Sequence, residues 1–180
     1  MDSFESVVAT ILERKGYWVK PSFKVNLSKE EKRAIGRPSS PRWELDLVVY
    51  KGLNNEVLVV ERKSYLDSPG VRFRSFEDSD QESSDRYKLF NDQNLRTIVF
   101  RRLSFQLEES GLCSSSPKIT LALAAGKIKT ESDRMKIQQH FQRNSWLLFD
   151  ENWLKENLES ISNDGYENAI TAVVSKLILR

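Results

Sequence analysis

Trp43-Glu44-Leu45-Asp46-Leu47-Val48-Val49-Tyr50, then Lys51-Gly52-Leu53-Asn54-Asn55, then Glu56-Val57-Leu58-Val59-Val60-Glu61-Arg62-Lys63 is the stretch from which the rest of the chain is read. Two apolar runs rich in β-branched residues, Leu45 to Tyr50 and Val57 to Val60, flank a segment whose glycine and asparagines tolerate positive φ, which is the composition of a β-hairpin. A reversal centred between Leu53 and Asn54 sets Tyr50 opposite Val57, Val48 opposite Val59, Asp46 opposite Glu61 and Glu44 opposite Lys63. Side chains alternate along a strand, so Asp46, Glu61 and Lys63 are expected on one face; a slip of one residue would break the pairing. Otherwise both faces are apolar, with Val48, Tyr50, Val57 and Val59 on one and Leu45, Leu47, Val49, Leu58 and Val60 on the other. That is the pattern of central strands covered on both sides.

Charged groups at the ends of such strands need a reason. Two carboxylates roughly 5 Å apart on neighbouring strands raise each other's pKa unless a cation lies between them. Magnesium, commonly held by one or two carboxylates together with substrate phosphate, suits such a pair best. Lys63 points the same way, and an ammonium there can hold a phosphate, orient a water or offset developing negative charge. A purely structural reading uses the same residues: Asp46 and Lys63 as a cross-strand ion pair, with Glu61 paired to Arg62 or to a helix.

Asp46, 14 intervening positions, then Glu61-Arg62-Lys63 resembles the PD-(D/E)xK nuclease superfamily, which includes many restriction endonucleases and archaeal Holliday-junction resolvases. The resemblance implies Asp46 and Glu61 as magnesium ligands, with manganese as a substitute ion, and Lys63 as the residue that assists water attack on a DNA phosphodiester. Leu45 stands where the motif's proline would be, a position the family varies. The superfamily's αβββαβ order also matches the elements read from about residue 1 to residue 126. The expected fold is therefore α/β: a restriction-endonuclease-like core with a mixed central sheet flanked by helices and a C-terminal helical extension.

Phe4, Val7, Val8, Ile11 and Leu12 recur at helical spacing and predict a first helix ending near Gly16. Glu5 borders that apolar stripe and is the only glutamate of the helix able to reach a site beside the sheet. Such a helix glutamate is frequent in the superfamily, which makes Glu5 a candidate further ligand or orienting group. Tyr17 to Val25 reads as a strand, of edge type because Pro21 cannot donate to a ladder. Ser28 with Glu31 is a capping-box pattern for a short helix ending at Gly36, and Arg37 to Arg42 reads as an extended arm with Arg37 and Arg42 as candidate DNA contacts.

Ser64 to Asn94 is the least regular region, of a length that is usually functional or mobile. In its first part Arg72 and Arg74 alternate with phenylalanines as a nucleic-acid surface would; Glu77 to Asp85 is acidic and serine-rich and reads as a solvated flap. A long helix follows through Leu95, Ile98, Val99, Leu103 and Leu107 to Gly111, then a strand from Ile119 to Ala125. Beyond it the pattern predicts a helix from Glu131 to Arg143, a strand from Trp146 to Phe149, and helices Glu151 to Ile161 and Tyr166 to Leu179 that cover the sheet or meet a second copy. Trp146 and Trp153 read as core.

The 180 residues, 39% hydrophobic and 30% charged, are sized for one soluble domain, with no apolar run of membrane-spanning length. The N-terminus lacks the pattern of a signal peptide, so a cytoplasmic location is expected. Cys113 and His140 are the only residues of their kinds, which leaves zinc fingers, disulfides and Ser/His or Cys/His catalysis almost no material. Cys113 reads as a small buried residue and His140 as solvated or capping. Net charge is only +2, yet nine basic side chains from Arg14 to Arg42 face two acidic ones, a plausible phosphate-facing surface or a solvated face. The expectation is a magnesium-dependent DNA endonuclease, paired as a homodimer to cut both strands. The alternatives are a non-catalytic DNA-binding module and a nuclease-like subunit of a larger defence or repair complex.

Overall fold

The computed structural model describes residues 2–39, 42–77, 85–163 and 170–179. Seven helices, α1 (Ser3–Arg14), α2 (Lys29–Ala34), α3 (Lys88–Asn91), α4 (Gln93–Glu109), α5 (Glu131–Arg143), α6 (Glu151–Asn163) and α7 (Ile170–Leu179), are described with five strands. The strands are β1 (Trp18–Val25), β2 (Trp43–Lys51), β3 (Glu56–Lys63), β4 (Lys118–Ala125) and β5 (Leu147–Phe149). They form one mixed sheet in the order β1-β2-β3-β4-β5, antiparallel as far as β3 and parallel from there. The architecture is α/β, a five-stranded mixed sheet flanked by helices.

The hairpin has the expected register: Tyr50 pairs with Val57, Val48 with Val59 and Leu47 with Val60. A single 3-10 turn, Gly52–Asn54, closes it, and Asn55 supplies the left-handed conformation at φ 46°. Asparagine tolerates that region better than most side chains. Alternation then divides the core. Val48, Val57, Val59, Leu121 and Leu123 pack against α4 and α5 on one face; Leu47, Val49, Leu58 and Val60 pack against α1 and α6 on the other. The α1 stripe holds as read, with Val8, Ile11 and Leu12 buried, and Asp2 with Glu5 closes a capping box at its start.

Leu45 departs from expectation. It packs with Val48 and Val59 instead of Leu47 and Val49. The break falls at an interrupted level of the sheet. The β1–β2 ladder pairs Pro21 with Leu47 and Phe23 with Leu45 but leaves out Ser22 and Asp46, and Ser22 has φ 49°. One left-handed residue interrupts the extended chain and resets which side the next residues face, so Phe23 and Val25 join Leu45 on the α4 and α5 side while Val19 stays on the α1 side.

The segment after β3 is also more ordered than its composition predicts. Val71 bridges Ile128, 3-10 turns form at Phe73–Phe76 and Asp85–Tyr87, and Phe76, Tyr87, Leu89 and Phe90 are buried beneath α4 and α5. The phenylalanines that alternate with arginine are thus partly core, and most of the acidic stretch lies outside the described residues. His140 is half-buried and touches Phe73, Phe76, Phe141 and Trp146, not solvated as expected; burial and then Arg143 hold its pKa below the usual value. Cys113 is half-buried, and Trp146 and Trp153 pack against the two cores.

Helix α7 packs its Ala172 and Ser175 side inward and leaves Ile170, Val173, Val174, Leu177 and Ile178 exposed along one stripe. Residues 166–169, the start expected for this helix, lie outside the described residues. Among the described residues no helix is long and apolar enough to cross a membrane.

Gly126 closes the end of β4 against β3, its N–H donating to the Lys63 carbonyl at 2.9 Å. A Cβ there would lie 2.3 Å from the Ser64 carbonyl oxygen, which is backbone and cannot move freely. Gly126→Ala is expected to destabilise the protein by about 1–3 kcal/mol, read as a lowered urea midpoint; an unchanged midpoint would show that the two strand ends separate without cost.

Candidate functional site

The register places the chemistry. Leu47 and Val60 are the last ladder pair toward the open end of the hairpin, and just beyond them Asp46 and Glu61 lie close enough for the Asp46 charge to act on Glu61. Asp46 Oδ2 accepts the backbone N–H of Arg62 at 2.9 Å, which holds the carboxylate across the strand gap. The β2–β3 ladder ends at Leu47 and Val60, and beyond that pair this side-chain bond ties the two strands together.

Glu61 is pushed up to about 7, first by burial and then by the Asp46 charge, with Lys63 and Arg62 pulling the other way. Glu61 is thus costly to ionise where it stands, through its burial and, after that, through the carboxylate beside it. Lys63 follows Glu61 by two residues on the same strand face, and its ammonium rests 5.4 Å from the centre of the Tyr87 ring. Tyr87 is 2% exposed, and burial followed by Tyr65 keeps its hydroxyl neutral. Nothing in the sequence marked Tyr87 as a neighbour of Lys63; the only signal was the apolar cluster it forms with Leu89 and Phe90.

Arg62 points to the opposite face. Its guanidinium pairs with Asp2, lies 3.2 Å from Glu5 and reaches 4.0 Å from Asp46 Oδ2. Glu5 is 2% exposed, and its Oε1 has no hydrogen-bond partner. The structure therefore brings Glu5 to the site through Arg62, as the buried anchor of the side chain that flanks Asp46. Arg62 itself turns to α1 and not to Glu61, a role that its position inside the Glu-x-Lys pattern does not announce.

The basic candidates divide into two groups. Arg37 stacks over Trp43 at 5.1 Å and Arg42 is exposed just ahead of β2, both near the strand end that carries Asp46. Arg72 and Arg74 line a separate cavity of about 240 Å³ beside the start of α5. The Val71–Ile128 bridge places it beyond the C-terminal ends of β3 and β4, the end where Lys63 lies. Among the described residues no group of three or more His, Cys, Asp or Glu side chains is placed to hold a metal ion by itself; Asp46 and Glu61 make a two-carboxylate set. No family model, curated protein or solved structure matches this chain.

Proposed function

We propose that the protein is a magnesium-dependent DNA endonuclease with a restriction-endonuclease-like core, hydrolysing phosphodiester bonds at Asp46, Glu61 and Lys63. The observation that carries the reading is the conflict between two carboxylates on adjacent central strands, with a lysine on the same face. A divalent cation removes that conflict, and magnesium, which keeps several waters and takes one or two carboxylates plus phosphate, does not require a third protein ligand. When bound, the ion supplies a Lewis acid for a phosphoryl oxygen and a water of lowered pKa.

The chain's own groups then divide the work. Asp46 and Glu61 hold the cation. Arg62 steadies Asp46 through its N–H at 2.9 Å, and Glu5 anchors the Arg62 guanidinium from below. Lys63 has the reach to hold a phosphate oxygen and offset negative charge as the phosphorus is attacked. The order helix, three strands, helix, strand, with the short helices α2 and α3 inserted, supports the same reading. One centre cuts one strand, so cutting a duplex calls for two copies, and the exposed apolar stripe of α7 is the surface we assign to that pairing.

The test is incubation of purified protein with supercoiled, linear and branched DNA in magnesium or in EDTA. Cutting in magnesium alone is expected, and the preferred substrate identifies the structure recognised. Absence of cutting on all three, with magnesium or manganese, would remove the enzyme reading and leave a DNA-binding module or a partner-dependent subunit.

A further inference from the structure

The cavity beside α5 has a composition that the carboxylate site does not explain. Four cations, Arg72, Arg74, Lys129 and Lys136, line it against Glu77 and Asp133. Asp133 is also engaged within the fold: one oxygen accepts the Phe73 N–H at 2.8 Å and the other the Thr130 hydroxyl at 2.6 Å, and against burial these bonds, then Lys129 and Lys136, hold its carboxyl below the usual value. Glu77 is exposed. Arg72 and Lys129 make no ion pair among the described residues, and Lys136 rests 5.9 Å from the Phe73 ring with no carboxylate bridged to it. Positive charge therefore exceeds negative around this open volume, four cations to two carboxylates. A volume of about 240 Å³ admits a phosphate group with several waters, each of which takes roughly 30 Å³ in the liquid.

The cavity also lies at the end of the sheet that carries Lys63. Val71 donates to the Lys127 carbonyl and Lys129 to the Val71 carbonyl, both at 2.9 Å, so the cavity is fastened to the chain leaving β4. Phe76, in the turn that carries Arg74, packs 4.8 Å from Tyr87, the ring against which Lys63 rests. The cavity and the lysine thus share an end of the sheet and a continuous packed wall.

We infer that this cavity is a subsite for a phosphate of the nucleic-acid backbone, gripping the strand at a distance from the bond that is cut. It rests on the reading of Asp46 and Glu61 as the cleavage centre for its purpose, and on its own side chains for its chemistry. The ligand is a phosphodiester recognised through its charge, since four of the eight lining side chains are cations and phosphate contacts carry no sequence information.

The experiment is fluorescence anisotropy of a labelled DNA duplex in EDTA across a salt series. It compares the wild type, Lys129→Gln/Lys136→Gln and, separately, Arg72→Gln, each checked for an unchanged thermal midpoint. Affinity is expected to fall about five- to ten-fold in the double variant, and the slope of log affinity against log salt to drop by about 1; Arg72→Gln carries the test if the double variant does not fold. Unchanged affinity and slope in the folded variants overturns the subsite, as does a wild type that binds no DNA. Tight binding of a nucleoside monophosphate that Lys129→Gln/Lys136→Gln abolishes, with duplex affinity untouched, also overturns it and assigns the cavity to free nucleotides. Binding that follows the lysines in a protein that never cuts keeps the subsite and removes the nuclease reading; magnesium-dependent cutting indifferent to both variants does the reverse.

Discussion

Asp46→Asn is expected to lower magnesium-dependent DNA cutting by about 10²–10³-fold while leaving the protein folded. The substitution isolates charge from shape. An asparagine oxygen can still accept the Arg62 N–H that Asp46 Oδ2 accepts at 2.9 Å, so the link across the hairpin survives. What disappears is one negative charge beside Glu61, and with it half of the proposed cation site. The Asp46 charge is one of the causes that raise Glu61, so the variant's Glu61 should titrate closer to the ordinary carboxylate value. Lys63→Ala should show the complementary pattern, with cutting lost at a similar scale and duplex binding in EDTA nearly kept. Plasmid cutting paired with thermal melts decides the matter: an active Asp46→Asn protein refutes the site, and an inactive but unfolded one would mean that Asp46 is structural.

The second large effect concerns stability against pH. Glu61 titrates at about 7 in the folded protein against an ordinary 4.5. Between those values the folded state keeps a proton that the unfolded chain has released, so stability falls as pH rises through the interval and the loss is complete above about 7. At about 1.4 kcal/mol per unit, the cost is roughly 3 kcal/mol in metal-free protein. Glu61→Gln should therefore flatten the decline in urea stability between pH 5 and pH 8 measured in EDTA. Magnesium should restore stability to the wild type mainly at the alkaline end, where both carboxylates are ionised. Parallel wild-type and Glu61→Gln curves across this range would mean that burial and Asp46 perturb Glu61 far less than the geometry implies.

Much of this arrangement was legible in the sequence because the determinants are local. The β2–β3 register from Leu47–Val60 to Tyr50–Val57 follows from two alternating runs and an asparagine-rich turn. The position of Glu5 at the border of the α1 stripe was equally readable, since helical periodicity fixes angles. Its partner was not. Arg62 reaches α1 by a contact between residues far apart in the chain, and no pattern in either segment records it. Leu45 was misplaced for a different reason. Its face changes at the level where the β1–β2 ladder skips Ser22 and Asp46, and a serine at φ 49° leaves no mark in a hydrophobic pattern. Tyr87 and Phe76 lie in a segment whose arginines, serines and acids resemble a loop, yet burial against α4 and α5 orders them. Tertiary packing, and not propensity, decided those residues.

The sheet's margins constrain how this molecule can associate. At one margin β1 contains Pro21, which has no N–H to offer, followed by Ser22 in a left-handed turn of the backbone; at the other, β5 is only three residues long. A foreign strand laid along β1 would find its ladder broken at the middle, and one laid along β5 would have little to grip. Growth of the sheet from chain to chain, the route to fibrous aggregation, is thus blunted at both sides by the backbone itself. A companion chain is therefore expected to engage this protein through side chains and not by extending its sheet.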